Sequence, residues 1–157
     1  MPILEIIVQP NPILRKKSKE VNLKEISGRD FSRLVSAMEK TMLEADGAGL
    51  SAPQIGKNIR LAVVNSKDGP ICLINPKITK KSWAKELGQE GCLSIPGIFG
   101  AVKRHKKITV AYYDRAGAKI KQIAQGMMAR VMQHEIDHLD GILFIDKLVK
   151  EKAKRHG

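Results

Sequence analysis

Two histidines four residues apart, in the run His134-Glu135-Ile136-Asp137-His138, constrain this chain more than any other feature. On a helix, positions i and i+4 lie one turn apart on one face, so the two imidazoles can share a metal ion, and the intervening Glu135 can reach a water on that ion. At about 100° per residue, Met127, Val131, His134 and His138 fall together, and Met128, Met132, Ile136 and Leu139 form an adjacent stripe. Arg130, Gln133, Asp137 and Asp140 occupy the remaining arc, with Glu135 on the border between the two stripes. The stretch Met127 to Leu139 is thus apolar or metal-facing over most of its circumference, which predicts a helix running through the interior until Gly141 stops it.

A catalytic metal site typically has three protein ligands and one open position. The longer pattern His-Glu-x-x-His-x-x-Gly-x-x-His matches as far as Gly141, but its last position is Phe144, and the tail after His138 is rich in Lys. The third donor should therefore come from upstream, which disfavours an ordinary metalloprotease. Cys72 lies in the apolar run Ile71-Cys72-Leu73-Ile74 and reads as a buried free thiol. Cys92, among Gly91, Ser94, Pro96 and Gly97, sits at a strand end or turn that could present a thiolate. His105, inside the basic run Lys103 to Lys107, reads as exposed, so Cys92 is the better donor.

No Pro/Gly/Ser-rich linker, internal repeat or low-complexity stretch divides the 157 residues, and one catalytic domain over 1–157 is expected. Phe31, Leu34, Val35, Met38, Met42 and Leu43 recur at helical spacing between Arg29 and Ala45, ending at the turn signal Asp46-Gly47. Short β-like runs follow at Arg60 to Asn65, Cys72 to Ile78, Lys107 to Tyr113 and Lys119 to Ala124, and the N-terminal run Met1 to Val8 reads as an early strand. Asp146 to Arg155 reads as a second, basic helix. The expected class is α+β: mainly antiparallel strands packed around a central metal-binding helix, with a C-terminal helix. With no signal peptide, transit segment or membrane-length apolar run in the sequence, the expected location is the cytoplasm.

The formal charge of +12 fits a protein that works against polyanions. Its lysines and arginines gather near Arg15 to Lys19, at Lys103 to Lys107 and in the C-terminal Lys147, Lys150, Lys152, Lys154 and Arg155. Aromatic residues are few, so a stacking platform for single strands is not apparent.

Three segments together resemble the peptide deformylase family: Gly47-Ala48-Gly49-Leu50-Ser51-Ala52-Pro53-Gln54, then Glu90-Gly91-Cys92-Leu93-Ser94, then Gln133-His134-Glu135-Ile136-Asp137-His138-Leu139-Asp140-Gly141. They stand in the family's order, and the similarity runs through nearly the whole chain. The visible departure is Ser51, where that family more usually has Ala. The resemblance implies a hydrolase that removes the formyl group from the N-terminal formylmethionine of nascent polypeptides. It implies Fe(II) as the native metal on Cys92, His134 and His138, with zinc, nickel or cobalt as ions a purified sample could carry. It further implies Glu135 as the group that moves the proton, and the Gln54 side chain and Leu93 backbone N–H as oxyanion donors. Ala48, Gly49, Gly91, Met127 and Val131 would bind the substrate, and Glu90 and Arg104 would form a supporting ion pair. Ribosome contact through the basic C-terminal helix is a further expectation, and membrane association is not one. Two rival readings are a metallopeptidase with an unusual ligand set and a basic RNA-binding module with a structural Cys/His site. The second would need a fourth protein ligand, and no donor has a suggestive position.

Overall fold

Alternation of side chains between two faces of one sheet organises the fold, and the computed structural model describes residues 2–150 of it. Helix α1 (Arg29–Glu44) buries Phe31, Val35, Met38 and Met42, the three-and-four spacing read from the sequence. Five strands then form an antiparallel sheet in the order β1-β2-β3-β6-β7: β1 (Gly49–Ser51), β2 (Leu61–Val64), β3 (Ile71–Lys81), β6 (Lys107–Tyr113) and β7 (Lys119–Gln125). Helix α2 (Gly126–Leu139) follows β7 directly.

The sheet lies between the helices. Leu61, Val63, Cys72 and Ile74 share one cluster with Val35, Met38 and Met42 of α1. Their neighbours Val64 and Leu73 point the other way and join Ile108, Val110, Met132 and Ile136 beneath α2. Cys72 therefore has the expected core position, and burial pushes its thiol up to about 12, so it stays neutral.

A two-stranded hairpin, β4 (Lys85–Cys92) and β5 (Ile95–His105), stands apart from the sheet and was not expected from the sequence. Its first strand, Lys-Glu-Leu-Gly-Gln-Glu-Gly-Cys, lacks apolar alternation, and its glycines resemble turn residues. The structure uses them for close approach instead. A Cβ on Gly88 would sit 2.7 Å from Arg130 Cζ, and one on Gly91 would sit 2.6 Å from the Phe99 ring.

Two other expectations change. Residues 2–8 form no ladder: Leu4 N–H donates to Thr41 Oγ1 (2.9 Å), and Ile7 N–H donates to the Gln54 carbonyl (2.7 Å), so the segment is an extended strap held at scattered points. Only Asp146–Lys150 of the expected Asp146–Arg155 helix falls within the described residues. There Phe144–Lys147 is a 3₁₀ turn, and Leu148 bridges antiparallel to Val102.

Gly141 ends α2 in the left-handed region, with φ of 74°, and a Cβ there would lie 2.4 Å from the Arg15 carbonyl oxygen. That oxygen is backbone and cannot swing aside. Gly141→Ala should therefore destabilise the fold by roughly 2–4 kcal/mol, measured by denaturant unfolding. An unchanged midpoint would mean that the close approach at Arg15 is relieved at no cost.

Candidate metal centre and active site

The site forms where the end of β4 meets the middle of α2. His134 and His138 lie one turn apart on α2, with ring centroids separated by 5.0 Å. Cys92 closes β4 and pairs with Ile95 at the hairpin's tight end, which brings its Sγ to 3.3 Å from His138 Nε2. One donor atom from each of Cys92, His134 and His138 falls within 4.8 Å of the others. A thiolate and two imidazoles at this spacing suit a divalent transition metal, so the residues fit the ion that the motif implies. His105 stays outside the trio. It is half-buried instead of exposed, and its Nδ1–H donates to the Ser82 carbonyl (2.7 Å).

Glu90 orients the first histidine. Its Oε1 accepts from His134 Nδ1 at 2.9 Å, which leaves the His134 Nε2 lone pair free to ligate. The same carboxylate accepts from Arg104 Nε and Nη2, both at 2.9 Å, and from Arg130 Nη1 at 2.6 Å. Arg104 is 3% exposed, so the expected Glu90–Arg104 pair is buried, and Arg104 Nη1 also reaches Asp137 at 2.5 Å. Burial works against the Glu90 charge, but the hydrogen bonds from Arg104 and His134 outweigh it and hold the carboxyl well below the usual carboxylate range. Burial keeps His138 well below its ordinary value, so that ring is neutral. Burial also opposes a proton on His134, but Cys92 and Glu90 favour one, and ligation through Nε2 requires that proton to leave as an ion binds.

Arg130 is a site residue that the sequence reading missed. It lies on the polar arc of α2, which helical periodicity assigns outward, whereas the β4–β5 hairpin covers that arc. The guanidinium also donates to the Glu86 and Val102 carbonyls. Gln133 shares this fate: it is 4% exposed, and it exchanges hydrogen bonds with both backbone groups of His105. Gly88 opposite Arg130 was the available signal, since a glycine inside a strand marks close approach.

Glu135 is 3% exposed, and its Oε2 has no hydrogen-bond partner. Burial raises its pKa to about 7, with His134 pulling it down and Glu90 pushing it up. Gly49 makes room for this side chain: a Cβ there would lie 2.7 Å from Glu135 Cγ and 2.9 Å from Cδ. Glycine is thus needed for the carboxylate itself, a reason different from the substrate approach expected from sequence.

Gln54 is held at both ends. Its Oε1 accepts from the Ser51 N–H (2.9 Å) and hydroxyl (3.0 Å), and its Nε2 donates to Ser94 Oγ (3.0 Å) and toward Cys92 Sγ (3.5 Å). The backbone N–H can only donate, so the amide oxygen must face Ser51 and the NH₂ must face the site. Ser51, the departure from the usual Ala, contributes a second bond to that orientation.

A cavity of about 430 Å³ opens over these groups. Gln54, Cys92, Leu93, His134 and Glu135 line it together with Ala48, Gly49, Gly91, Met127 and Val131. Every expected site residue except His138 reaches this cavity; His138, 1% exposed, sits behind Cys92. Phe99, 67% exposed at the rim, is a lining residue that sequence reasoning did not single out.

The family model for polypeptide deformylase matches residues 3–154. The chain belongs to the peptide deformylase family. Peptide deformylase from Syntrophomonas wolfei is 46% identical over 155 residues, covering 99% of each chain. The crystal structure of peptide deformylase from Thermotoga maritima superposes with a TM-score of 0.91 at 37% identity, covering 96% of this chain and 100% of that one. A Met-Ala-Ser-bound class I type b peptide deformylase from Acinetobacter baumannii gives 0.90 at 34% identity, covering 94% and 99%. The α+β class, with antiparallel strands and a C-terminal helix, matches these deformylase structures.

Gly49→Ala tests the contact with Glu135. It should lower turnover by about 100-fold through displacement of the carboxylate, with metal content unchanged. Parallel metal analysis and rate measurement decide it; full activity would show that Glu135 does not need the space.

Proposed function

We propose that residues 1–157 form one catalytic domain that removes the N-formyl group from the N-terminal formylmethionine of newly made polypeptides and releases formate. The observation that carries the mechanism is the convergence of Cys92, His134 and His138 beside Glu135, which lines the same cavity and whose buried Oε2 has no hydrogen-bond partner. The family's reaction is metal-dependent, and Cys92, His134 and His138 would hold the ion, with Fe(II) as the native metal and zinc, nickel or cobalt as replacements. When bound, such an ion supplies Lewis-acid polarisation and acidifies water.

Glu135 then takes a proton from the attacking water as its oxygen adds to the formyl carbon. It returns that proton to the amine nitrogen as the C–N bond breaks. Burial raises Glu135 above an ordinary carboxylate, which helps it to hold the proton between the two transfers. The oxyanion that develops on the formyl oxygen is met by Gln54 Nε2 and the Leu93 backbone N–H, and Ser51 and Ser94 keep the Gln54 amide from turning away. Ala48, Gly49, Gly91, Met127 and Val131 enclose the methionine side chain. The Met-led tripeptide bound by the Acinetobacter baumannii relative supports this occupant.

The proposed place of action is the cytoplasm, beside the ribosome, with Lys147 and Lys150 as the described part of the basic C-terminal segment that would contact it. No helix among the described residues is long and apolar enough to cross a membrane.

Two substitutions separate binding from catalysis. Glu135→Gln should retain the metal and lower deformylation of a formyl-Met peptide by about 10,000-fold, because one group serves both proton transfers. Cys92→Ser should lose metal and activity together, since a neutral hydroxyl is a poor ligand. Formate release beside metal stoichiometry reads out both. Near wild-type turnover in metal-loaded Glu135→Gln would overturn the mechanism, and release of a free amino acid without formate would favour the peptidase reading.

A further inference from the structure

The chain's only tryptophan is the most exposed large apolar side chain among the described residues: Trp83 is 98% exposed, although indoles are mostly buried in folded proteins. It stands at the turn Ser82-Trp83-Ala84, which joins β3 of the sheet to β4 of the hairpin. The turn is rigidly clamped. Ser82 N–H donates to the Lys107 carbonyl (2.8 Å), Lys106 N–H to the Ala84 carbonyl (3.0 Å) and Lys107 N–H to Ser82 Oγ (3.1 Å), while His105 Nδ1–H holds the Ser82 carbonyl (2.7 Å). The indole is therefore presented by a fixed backbone.

Its surroundings are cationic. Lys80, Lys81 and Lys85 flank it along the chain, the clamp brings Lys106 and Lys107 beside it, and all five are exposed. The ion pairs among the described residues involve none of them. Between Lys77 and Lys107 the only carboxylates are Glu86 and Glu90, and Glu90 is buried under Arg104 and Arg130. A second cavity of about 290 Å³ adjoins the turn, lined by Lys80, Lys81, Arg104 and Lys147 against one carboxylate, Asp137, which is already paired with Arg104 and Lys147.

We propose that this turn is a docking knuckle for single-stranded RNA, in which Trp83 stacks on an unpaired base and the surrounding lysines contact the flanking phosphates. An exposed aromatic face amid mobile cations is what a base and its two phosphates require. A lipid surface fits less well, because the residues next to the ring are Ser82, Ala84 and lysines and not an apolar face. A second copy fits less well because two such clusters repel. The choice of RNA over DNA rests on the deformylase reading, since nascent chains emerge beside ribosomal RNA; the knuckle itself does not.

Being the sole tryptophan, Trp83 reports on its own contact. Titrating the metal-loaded full chain with a short unstructured RNA oligonucleotide should quench its fluorescence. Contacts to the two flanking phosphates would make log affinity fall with log salt at a slope of about −1.4. Trp83→Ala should weaken binding, read by anisotropy of labelled RNA, by about tenfold or more with the salt slope unchanged; Trp83→Tyr should restore most of it. Lys81→Glu combined with Lys107→Glu should flatten the slope. Deformylation of a formyl-Met tripeptide should be unchanged in Trp83→Ala. RNA binding without quenching, or equal binding by Trp83→Ala, would overturn the proposal. So would a blue shift on phosphatidylserine vesicles with no response to RNA, or a dimer in sedimentation that Trp83→Ala dissolves.

Discussion

One buried carboxylate holds the two halves of the site together. Glu90 comes from a hairpin outside the main sheet, and the histidines come from a helix lying on that sheet, so the two are joined by side chains of α2 that reach hairpin side chains and backbone groups. Glu90 accepts from Arg104 on its own hairpin and from Arg130 and His134 on α2; Arg104 extends the chain of charge to Asp137 on the same helix, and Asp137 pairs with Lys147. Removing one partner from such a buried network costs about 3–5 kcal/mol, because the remaining charges stay desolvated. Cys92 follows two residues after Glu90, across an irregularity in the hairpin register, so anchoring Glu90 positions the thiol against His138.

This hub explains why the motif residues are spread as they are. His134 needs a fixed tautomer, and a carboxylate at 2.9 Å from Nδ1 provides it. Glu135 needs the opposite environment, with few donors and little water, and α2 supplies it one residue further on by turning that side chain toward Gly49 and the cavity. Two neighbouring glutamates thus have opposed roles: Glu90 is held ionised by guanidinium groups, whereas burial raises Glu135 to a pKa of about 7.

Much of this was legible in the sequence, and the parts that were not share a cause. Periodicity gave α1 and α2 to within a residue or so of their observed bounds, because both bury apolar stripes against a sheet. Four of the five strands of that sheet announce themselves by apolar or alternating runs, whereas β1, only Gly49–Ser51, carries no such pattern and was not expected. The β4–β5 hairpin does not, since what it covers on α2 is the polar arc of Arg130 and Gln133, and a strand packed on guanidinium groups carries glycines and carboxylates instead of Val and Ile. The same fact hid Arg130, whose position on a helical wheel points outward. The orienting bond from Ser51 to Gln54 had a signal that was missed, the Ser-x-x-Gln capping-box spacing of Ser51-Ala52-Pro53-Gln54; that the same amide also turns its NH₂ to Ser94 and Cys92 depends on the three-dimensional network.

The most direct test of the hub is the metal dissociation constant of Glu90→Gln, measured by competition with a chelator and paired with Arg104→Leu and the double variant. If Glu90 joins hairpin to helix, Glu90→Gln should weaken metal binding by about 10–100-fold, and the two substitutions together should cost far less than the sum of their separate effects. Metal affinity unchanged in Glu90→Gln, or strict additivity with Arg104→Leu, would contradict the account and leave the Cys92–His134–His138 geometry to be explained by backbone packing alone.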